Sequence, residues 1–411
     1  MTRQQWPIAI LLFLSTVINY IDRQTLSVVA PVLTKELGIS DLTYSRILTA
    51  FLVAYTMMYV GSGFLVDRFG TRRSLAGFMG WWSVANMMHA AVGGAWSLAG
   101  FRMLLGLGES GNFMAAFKAI SEWYEPKHRA FVNGLVQAGA SVGGILAPPV
   151  ITAILVRWGW RPAFVATGAL GFVWIFAWMA AYRHAPATVD VKARTASRWR
   201  EMLSYRQTWG LFLARFFSDP VWWFYLFWLP KYLVDQRGFT VAEMGMLAWM
   251  PYLSADIGAL VGGALSDRLV RRGWDVLRAR RAGMLPFAML MPLSLVIAYT
   301  PSRGLALGLI CVVTFAHMAW KTNVTTLTND IYPVEVVGSV AGIVAFGNGL
   351  GGTLFTAAVG MIITYAGYET IFAIMGCLHP FAYLLLTRLV REPVAADSRM
   401  ASVDRAADSQ R

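Results

Sequence analysis

Ionisable residues sit inside apolar stretches of this chain, and their spacing defines the chemistry open to it. Asn19, Asp22 and Arg23 stand at i, i+3 and i+4, with Tyr20 beside them, in a run that is otherwise apolar. Arg102 and Glu109 are seven apart, two helical turns along one face, and Asn112 extends that face. Two carboxylates and two guanidiniums can therefore meet around one cavity. A carboxylate beside Arg stays ionised, whereas one moved away and desolvated takes up a proton. A substrate carboxylate competes for the same Arg, so proton and anion binding become linked through shared partners. The alternative is a fixed buried salt-bridge network that only holds two helices together.

The second half carries its own set. Asp219 and Asp256 fall near the middle of apolar segments, His317 and Lys321 are four apart, and Asn348 lies within Phe346-Gly347-Asn348-Gly349. A cation, amides, hydroxyls and aromatic rings are what a hydroxylated carboxylic acid requires. Lys321 and His317 can supply charge and a hydrogen bond. Asn348 and Gln137 can bind hydroxyls, and Tyr55 and Tyr59 offer phenols. Each also has a plain structural reading: Lys321 paired with Asp256, His317 as a packing histidine, Asp219 satisfying backbone freed by Pro220. No nucleophile–base pair, metal cluster or phosphate-binding loop accompanies them, which argues against an enzyme. No cofactor is implied.

The segments that must position these residues are long. Of 411 residues, 57% are hydrophobic and 14% charged, where a soluble domain carries about 25% charged residues. That composition excludes a secreted disulfide scaffold, a disordered chain and an ordinary cytosolic enzyme. Twelve candidate spans lie near 7–29, 46–66, 74–93, 97–121, 130–155, 162–182, 207–233, 243–266, 282–300, 304–327, 336–365 and 369–390. The runs are too long, and too lacking in alternation, for barrel strands. The net charge of +13 forms no continuous basic groove for nucleic acid. It resides in alternate loops, in Arg68, Arg72 and Arg73, in Lys127 and Arg129, in the 183–206 stretch and in Arg268 to Arg281. By the positive-inside rule both termini and the 183–206 linker are cytoplasmic. Cys311 and Cys377 match no redox or metal spacing. The first apolar run, holding Asn19, Asp22 and Arg23, is no signal peptide.

The chain divides into a six-span bundle (1–182), the linker (183–206), a second six-span bundle (207–391) and a polar, disordered tail (392–411). The halves repeat. Gly63-Phe-Leu-Val-Asp67-Arg68 recurs as Gly263-Ala-Leu-Ser-Asp267-Arg268, shifted by 200. Gly134, Gly139, Gly143 and Gly144 recur as Gly342, Gly347, Gly351 and Gly352, shifted by 208. Gly159-Trp160 recurs as Gly367-Tyr368. Duplicated units are common in secondary transporters. Small residues at four-residue intervals let helices approach closely, either to rock or to pack statically.

Gly63-Phe-Leu-Val-Asp67-Arg68-Phe-Gly70-Thr-Arg72-Arg73 resembles the signature loop of the major facilitator superfamily, with its degenerate copy at Gly263 to Arg268. Arg102, Gly106, Gly108 and Glu109 resemble a second motif of that superfamily. Asn19-Tyr20-Ile21-Asp22-Arg23 resembles its anion:cation symporter family, and Phe217 to Tyr232 is similar to hexuronate transporters within it. The resemblance covers nearly the whole chain. It implies an all-α fold of twelve transmembrane helices in two pseudo-symmetric six-helix bundles. It implies a proton-coupled importer of a small organic anion, a hexuronate or aldonate, in the bacterial inner membrane; a monomer is the default expectation. By the same resemblance Asp22 and Glu109 carry protons, and Arg23 and Arg102 are their partners, with Arg102 near the substrate anion. Asp67, Arg68, Arg72, Asp267 and Arg268 form a cytoplasmic latch for one gating state. Span five lacks the usual Gly-Pro pair of the superfamily's antiporters, which favours symport. The rival readings are a carrier for a monocarboxylate, dicarboxylate or aromatic acid, and a transport-derived sensor.

Overall fold

The protein is described from a computed structural model, for residues 5–124, 126–182, 202–332 and 334–391. Most of the expected linker and the whole 392–411 tail lie outside these residues, as do the side chains of Asp67 and Tyr59. Apolar runs of this length satisfy their backbone groups only as helices within a bilayer, and helices are what the chain forms. The first half comprises α1 (Gln5–Glu36), α2 (Asp41–Phe69), α3 (Thr71–Met88), α4 (Ala95–Glu109 continued by Gly111–Trp123), α5 (Pro126–Trp158) and α6 (Trp160–Ala181). The second comprises α7 (Arg206–Ser218 and Pro220–Asp235), α8 (Val241–Leu247 and Met250–Arg271), α9 (Val276–Leu290 and Leu293–Tyr299) and α10 (Arg303–Ile331). The last run, Val334–Leu389, turns at Gly367 (φ 75°, ψ 172°) and so holds two rods, α11 (334–366) and α12 (368–389).

Among the described residues seven stretches are long and apolar enough to cross a membrane, with α11 and α12 counted together. Buried polar residues lower the hydropathy of two others: Arg102, Glu109 and Asn112 in α4, Arg215 and Asp219 in α7. Exposed aromatic residues form two belts, as membrane interfaces favour. Trp96, Trp158, Tyr299 and Tyr365 stand at one end, and Trp6, Phe69, Trp209 and Trp274 at the other.

The repeat is geometric as well as textual. Gly159 and Gly367 both adopt positive φ, 87° and 75°, at the turns into α6 and α12. Only glycine takes this conformation without strain. In the first half Gly139 and Gly143 let α5 lie on α1, with a Cβ at either position meeting the Phe13 or Val17 carbonyl at 2.6 Å. In the second half Gly347 and Gly351 seat α11 on the Phe212 and Phe216 carbonyls of α7. The α1 and α7 contacts are displaced by 199 residues, which makes Trp222 the counterpart of Arg23. Gly143→Leu therefore drives α5 off α1 at the level of Tyr20. The expected loss is at least about 2 kcal/mol, read as a lower melting temperature in detergent.

The halves meet along α1–α7, α2–α11 and α5–α8. Their polar contacts cluster toward the end where α1 passes into α2. Ser27 Oγ donates to the Leu226 and Phe227 carbonyls at 2.9 Å, and the Tyr44 hydroxyl donates to Phe227 O at 3.1 Å. Ser45 Oγ donates to Thr356 O. Lys231 of α7 pairs with Asp41 of α2 at 3.0 Å and with its own-helix Asp235. This end is shut.

Candidate substrate and coupling site

α1 holds the centre of the first bundle, and its residues point to different neighbours. Successive helical residues are about 100° apart, so Asp22 and Arg23 diverge rather than share one face as the spacing of Asn19, Asp22 and Arg23 implied. Arg23 turns to α4 and α2. Its Nε donates to Glu109 Oε2 at 2.8 Å and its Nη2 to Asn19 Oδ1 at 3.1 Å. The rings of Tyr55, Tyr20 and Phe51 surround the guanidinium at 4.7, 5.0 and 5.6 Å. Aromatic faces attract such a cation once water is excluded. Glu109 keeps one oxygen, Oε1, without a partner.

Asp22 turns to α3 and α6. Asn86 Nδ2 donates to Asp22 Oδ1 at 2.8 Å and to Thr167 Oγ1 at 2.8 Å. Asp22 Oδ2 has no partner, and no guanidinium lies within ion-pair distance of Asp22 among the described residues. Arg102 is fully buried. It donates from Nη2 to the Arg23 carbonyl oxygen at 3.2 Å and lies 4.8 Å from the Phe51 ring. The structure thus forms one of the two expected carboxylate–guanidinium pairs, Arg23–Glu109. Arg102 stands behind Arg23, and Nε and Nη1 of Arg102 are unpartnered. A charge in mid-bilayer costs about 3 kcal/mol on insertion scales, so four such groups around one helix are expensive without a task.

The facing wall comes from the second bundle. Arg215 and Asp219, one turn apart on α7, form an ion pair at 2.5 Å, and Arg215 also donates to Thr325 Oγ1 at 3.2 Å. Asp219 is thereby occupied by a side chain rather than by freed backbone. Lys321 of α10 has no carboxylate within 4 Å among the described residues, neither Asp256 nor Asp219. Its ammonium stands 6.0 Å from the Trp222 ring. Trp222 stacks on His317 at 5.9 Å and meets Tyr252 edge-on at 5.9 Å. His317 shares a hydrogen bond of 3.1 Å with His379, which places it in packing behind Trp222. Trp223 Nε1 donates to Asn348 Oδ1 at 2.9 Å and holds that amide in place. On α5, Gln137 is exposed, and Ser141 one turn on donates to Asp256 Oδ1 of α8 at 2.5 Å.

Asn86, Thr167, Arg215, Ser141 and Tyr252 belong to this arrangement and were missed in sequence. Arg215 and Asp219 stand at the i, i+4 spacing that could have revealed them. Asn86 was a polar residue in an apolar helix. Ser141 and Tyr252 carried no signal.

Of the latch residues whose side chains are described, none joins the halves here. Arg72 donates to Met179 O of α6 at 2.6 Å, and Arg68 is exposed beside Phe69. Asp267 accepts from Arg280 at 2.6 Å, and Arg280 also binds Asp330, all in the second bundle. Arg268 is exposed. A separate cavity of about 460 Å³ lies between α2, α3 and α4. Its lining is apolar, with Met58, Leu65, Phe78, Trp81 and Leu107, apart from Arg73 and Ser74.

The sequence profile of the Major Facilitator Superfamily matches residues 12–356. The hexuronate transporter of Escherichia coli (strain K12) is 30% identical over 412 residues, covering 96% of this chain and 95% of the relative. The galacturonate transporter of Dickeya chrysanthemi is 33% identical over 278 residues, 63% of this chain and 80% of its own. Among solved structures, a D-xylose-proton symporter superposes with a TM-score of 0.79 at 16% identity, covering 95% of this chain and 98% of that one.

Proposed function

Since the chain belongs to the Major Facilitator Superfamily, as a hexuronate and aldonate transporter-like member, we propose that it is a proton-coupled symporter that imports a sugar acid. The observation that carries this reading is the buried Arg23–Glu109 pair of the first bundle, at 2.8 Å, together with Lys321 of the second bundle, which has no carboxylate within 4 Å among the described residues and stands 6.0 Å from the Trp222 ring. One cation from each bundle suits an anion. One of them is masked by a carboxylate, and that carboxylate is the coupling device.

While Glu109 is ionised it occupies Arg23. A proton on Glu109 frees the guanidinium, and the substrate carboxylate takes its place. Substrate and proton therefore bind together. Asp22 is the second proton carrier, held by Asn86 on the far side of α1. Gln137 and Asn348 meet the hydroxyls, and Trp222 presents a flat face to the sugar ring. The bundles then rock about the mid-membrane site. In the present form the contacts of Ser27, Tyr44, Ser45 and Lys231 close the α1–α2 end, which suits an inward-facing state with both termini, by the positive-inside rule, in the cytoplasm of a bacterial inner membrane. The site is complete within one chain, which supports a working monomer. Arg68, Arg72, Asp267 and Arg268 belong to the latch that closes the cytoplasmic end in the opposite state.

Binding tests the reading. Glucuronate, galacturonate and galactonate should each raise the melting temperature of the purified protein, and lactate should not. A shift with lactate alone would replace the sugar acid by a small monocarboxylate. Lys321→Met should weaken sugar-acid binding about tenfold or more, as the loss of one charge-assisted hydrogen bond does, and leave the melting temperature of the free protein within a few degrees. Unchanged affinity would remove Lys321 from the site.

A further inference from the structure

Asp256 has no task in the scheme above, yet its hydrogen bond spans the two bundles. It accepts from Ser141 of α5 at 2.5 Å, and no cation lies within ion-pair distance of it among the described residues. One turn away on α8, the Tyr252 hydroxyl is buried and has no partner. Across the interface, the Gln24 amide Nε2 of α1 is likewise buried and unpartnered. These two side chains converge over Gly144, where a Cβ would meet Gln24 Nε2 and the Tyr252 ring, each at 3.3 Å. Tyr252 in turn touches Trp222 edge-on, which joins the cluster to the Lys321 wall.

A buried donor without a partner costs about 1–3 kcal/mol, and two stand here about Gly144, one of them a helical turn from a carboxylate that accepts from Ser141. A second carboxylate is of no use to an anion's charged end, which it repels. It suits the other end. Carboxylate oxygens accept from hydroxyls, a phenol both donates and accepts, and an amide NH₂ donates. The set matches a polyol. Ser141 then occupies, in the substrate-free form, the position of a substrate hydroxyl on Asp256.

We propose that Asp256 and Tyr252 of α8, with Gln24 of α1, form a hydroxyl-reading subsite. It selects polyhydroxylated acids over plain carboxylates, while Arg23 and Lys321 hold the charged end. The subsite rests on the sugar-acid reading and fixes where discrimination arises. Because its members come from both bundles, a hydroxylated ligand also ties the bundles together, whereas a ligand bound by charge alone does not.

The test is a substrate-by-variant cycle on the full-length protein in detergent. Binding of glucuronate and of its single-deoxy analogues is measured for wild type, Asp256→Asn and Tyr252→Phe. Cyclohexanecarboxylate serves as a ring-sized acid without hydroxyls. Asp256→Asn should weaken glucuronate binding about tenfold or more. One deoxy analogue should show that loss with wild type and little further loss with the variant, because both changes remove the same contact. Cyclohexanecarboxylate should bind wild type and Asp256→Asn alike. Tyr252→Phe removes a hydroxyl that has no partner in the free protein. It should leave the free protein's melting temperature unchanged or higher, yet lower glucuronate affinity several-fold. Equal glucuronate affinity in wild type and both variants would overturn the subsite. So would a loss of one size for every deoxy analogue, the mark of a merely structural role. Wild type that binds no sugar acid at all would instead overturn the sugar-acid reading itself.

Discussion

Glu109→Gln should abolish accumulation driven by a pH gradient while leaving the exchange of internal for external substrate. The glutamine side chain matches the carboxylate in shape and still offers an oxygen to Arg23 Nε, which Glu109 now binds at 2.8 Å. It lacks the charge that makes Arg23 unavailable and the site that takes up the proton. A gradient of one pH unit is worth about 1.4 kcal/mol per proton, or tenfold accumulation. The variant should bring the internal substrate only to the external concentration. Its affinity should equal or exceed that of wild type, since nothing competes for Arg23 with full strength. Counterflow in liposomes reads the retained exchange. Full accumulation in the variant would take the coupling role from Glu109.

The second large effect falls on Arg23. Arg23→Ala removes the cation proposed to hold the substrate carboxylate and leaves Glu109 buried without a counter-charge. Truncating one partner of a buried pair costs about 3–5 kcal/mol. Substrate affinity should fall at least a hundredfold, and the melting temperature should drop with it. The double variant Arg23→Ala/Glu109→Ala separates the two losses: stability should recover in part, and binding should not. Arg102→Lys is the informative contrast. Arg102 reaches the Arg23 carbonyl at 3.2 Å and is fully buried behind Phe51. Its replacement should cost far less affinity than the loss of Arg23. An equal or greater loss at Arg102 would place the anion deeper than the Arg23–Glu109 pair.

Much of this arrangement could be read from residue types. Charges in apolar runs mark function in a membrane protein whatever the fold, and Asp22, Arg23, Arg102 and Glu109 were visible on that ground. The repeat was visible because glycine leaves no alternative where helices touch through their backbones, as at Gly143 on Val17 and Gly351 on Phe216. Partnerships were not visible. Asp22 and Arg23 are neighbours in sequence but face α3 and α4 respectively, and the spacing of α1 alone does not say which helix lies on which side. Asn86 completes Asp22 from a helix 64 residues away. The Ser141–Asp256 contact depends on how two bundles dock, 115 residues apart. The breaks at Ser110 and Asp219 also escaped a span count, because the chain stays apolar on either side of them.

The most direct measurement is uptake of labelled glucuronate by the purified protein in liposomes, with proton and sodium gradients imposed separately. The account predicts accumulation above the external concentration with an inward proton gradient, none with sodium alone, and competition by galacturonate and galactonate but not lactate. Accumulation driven by sodium at uniform pH, or glucuronate equilibrating without accumulation under the proton gradient, would contradict it.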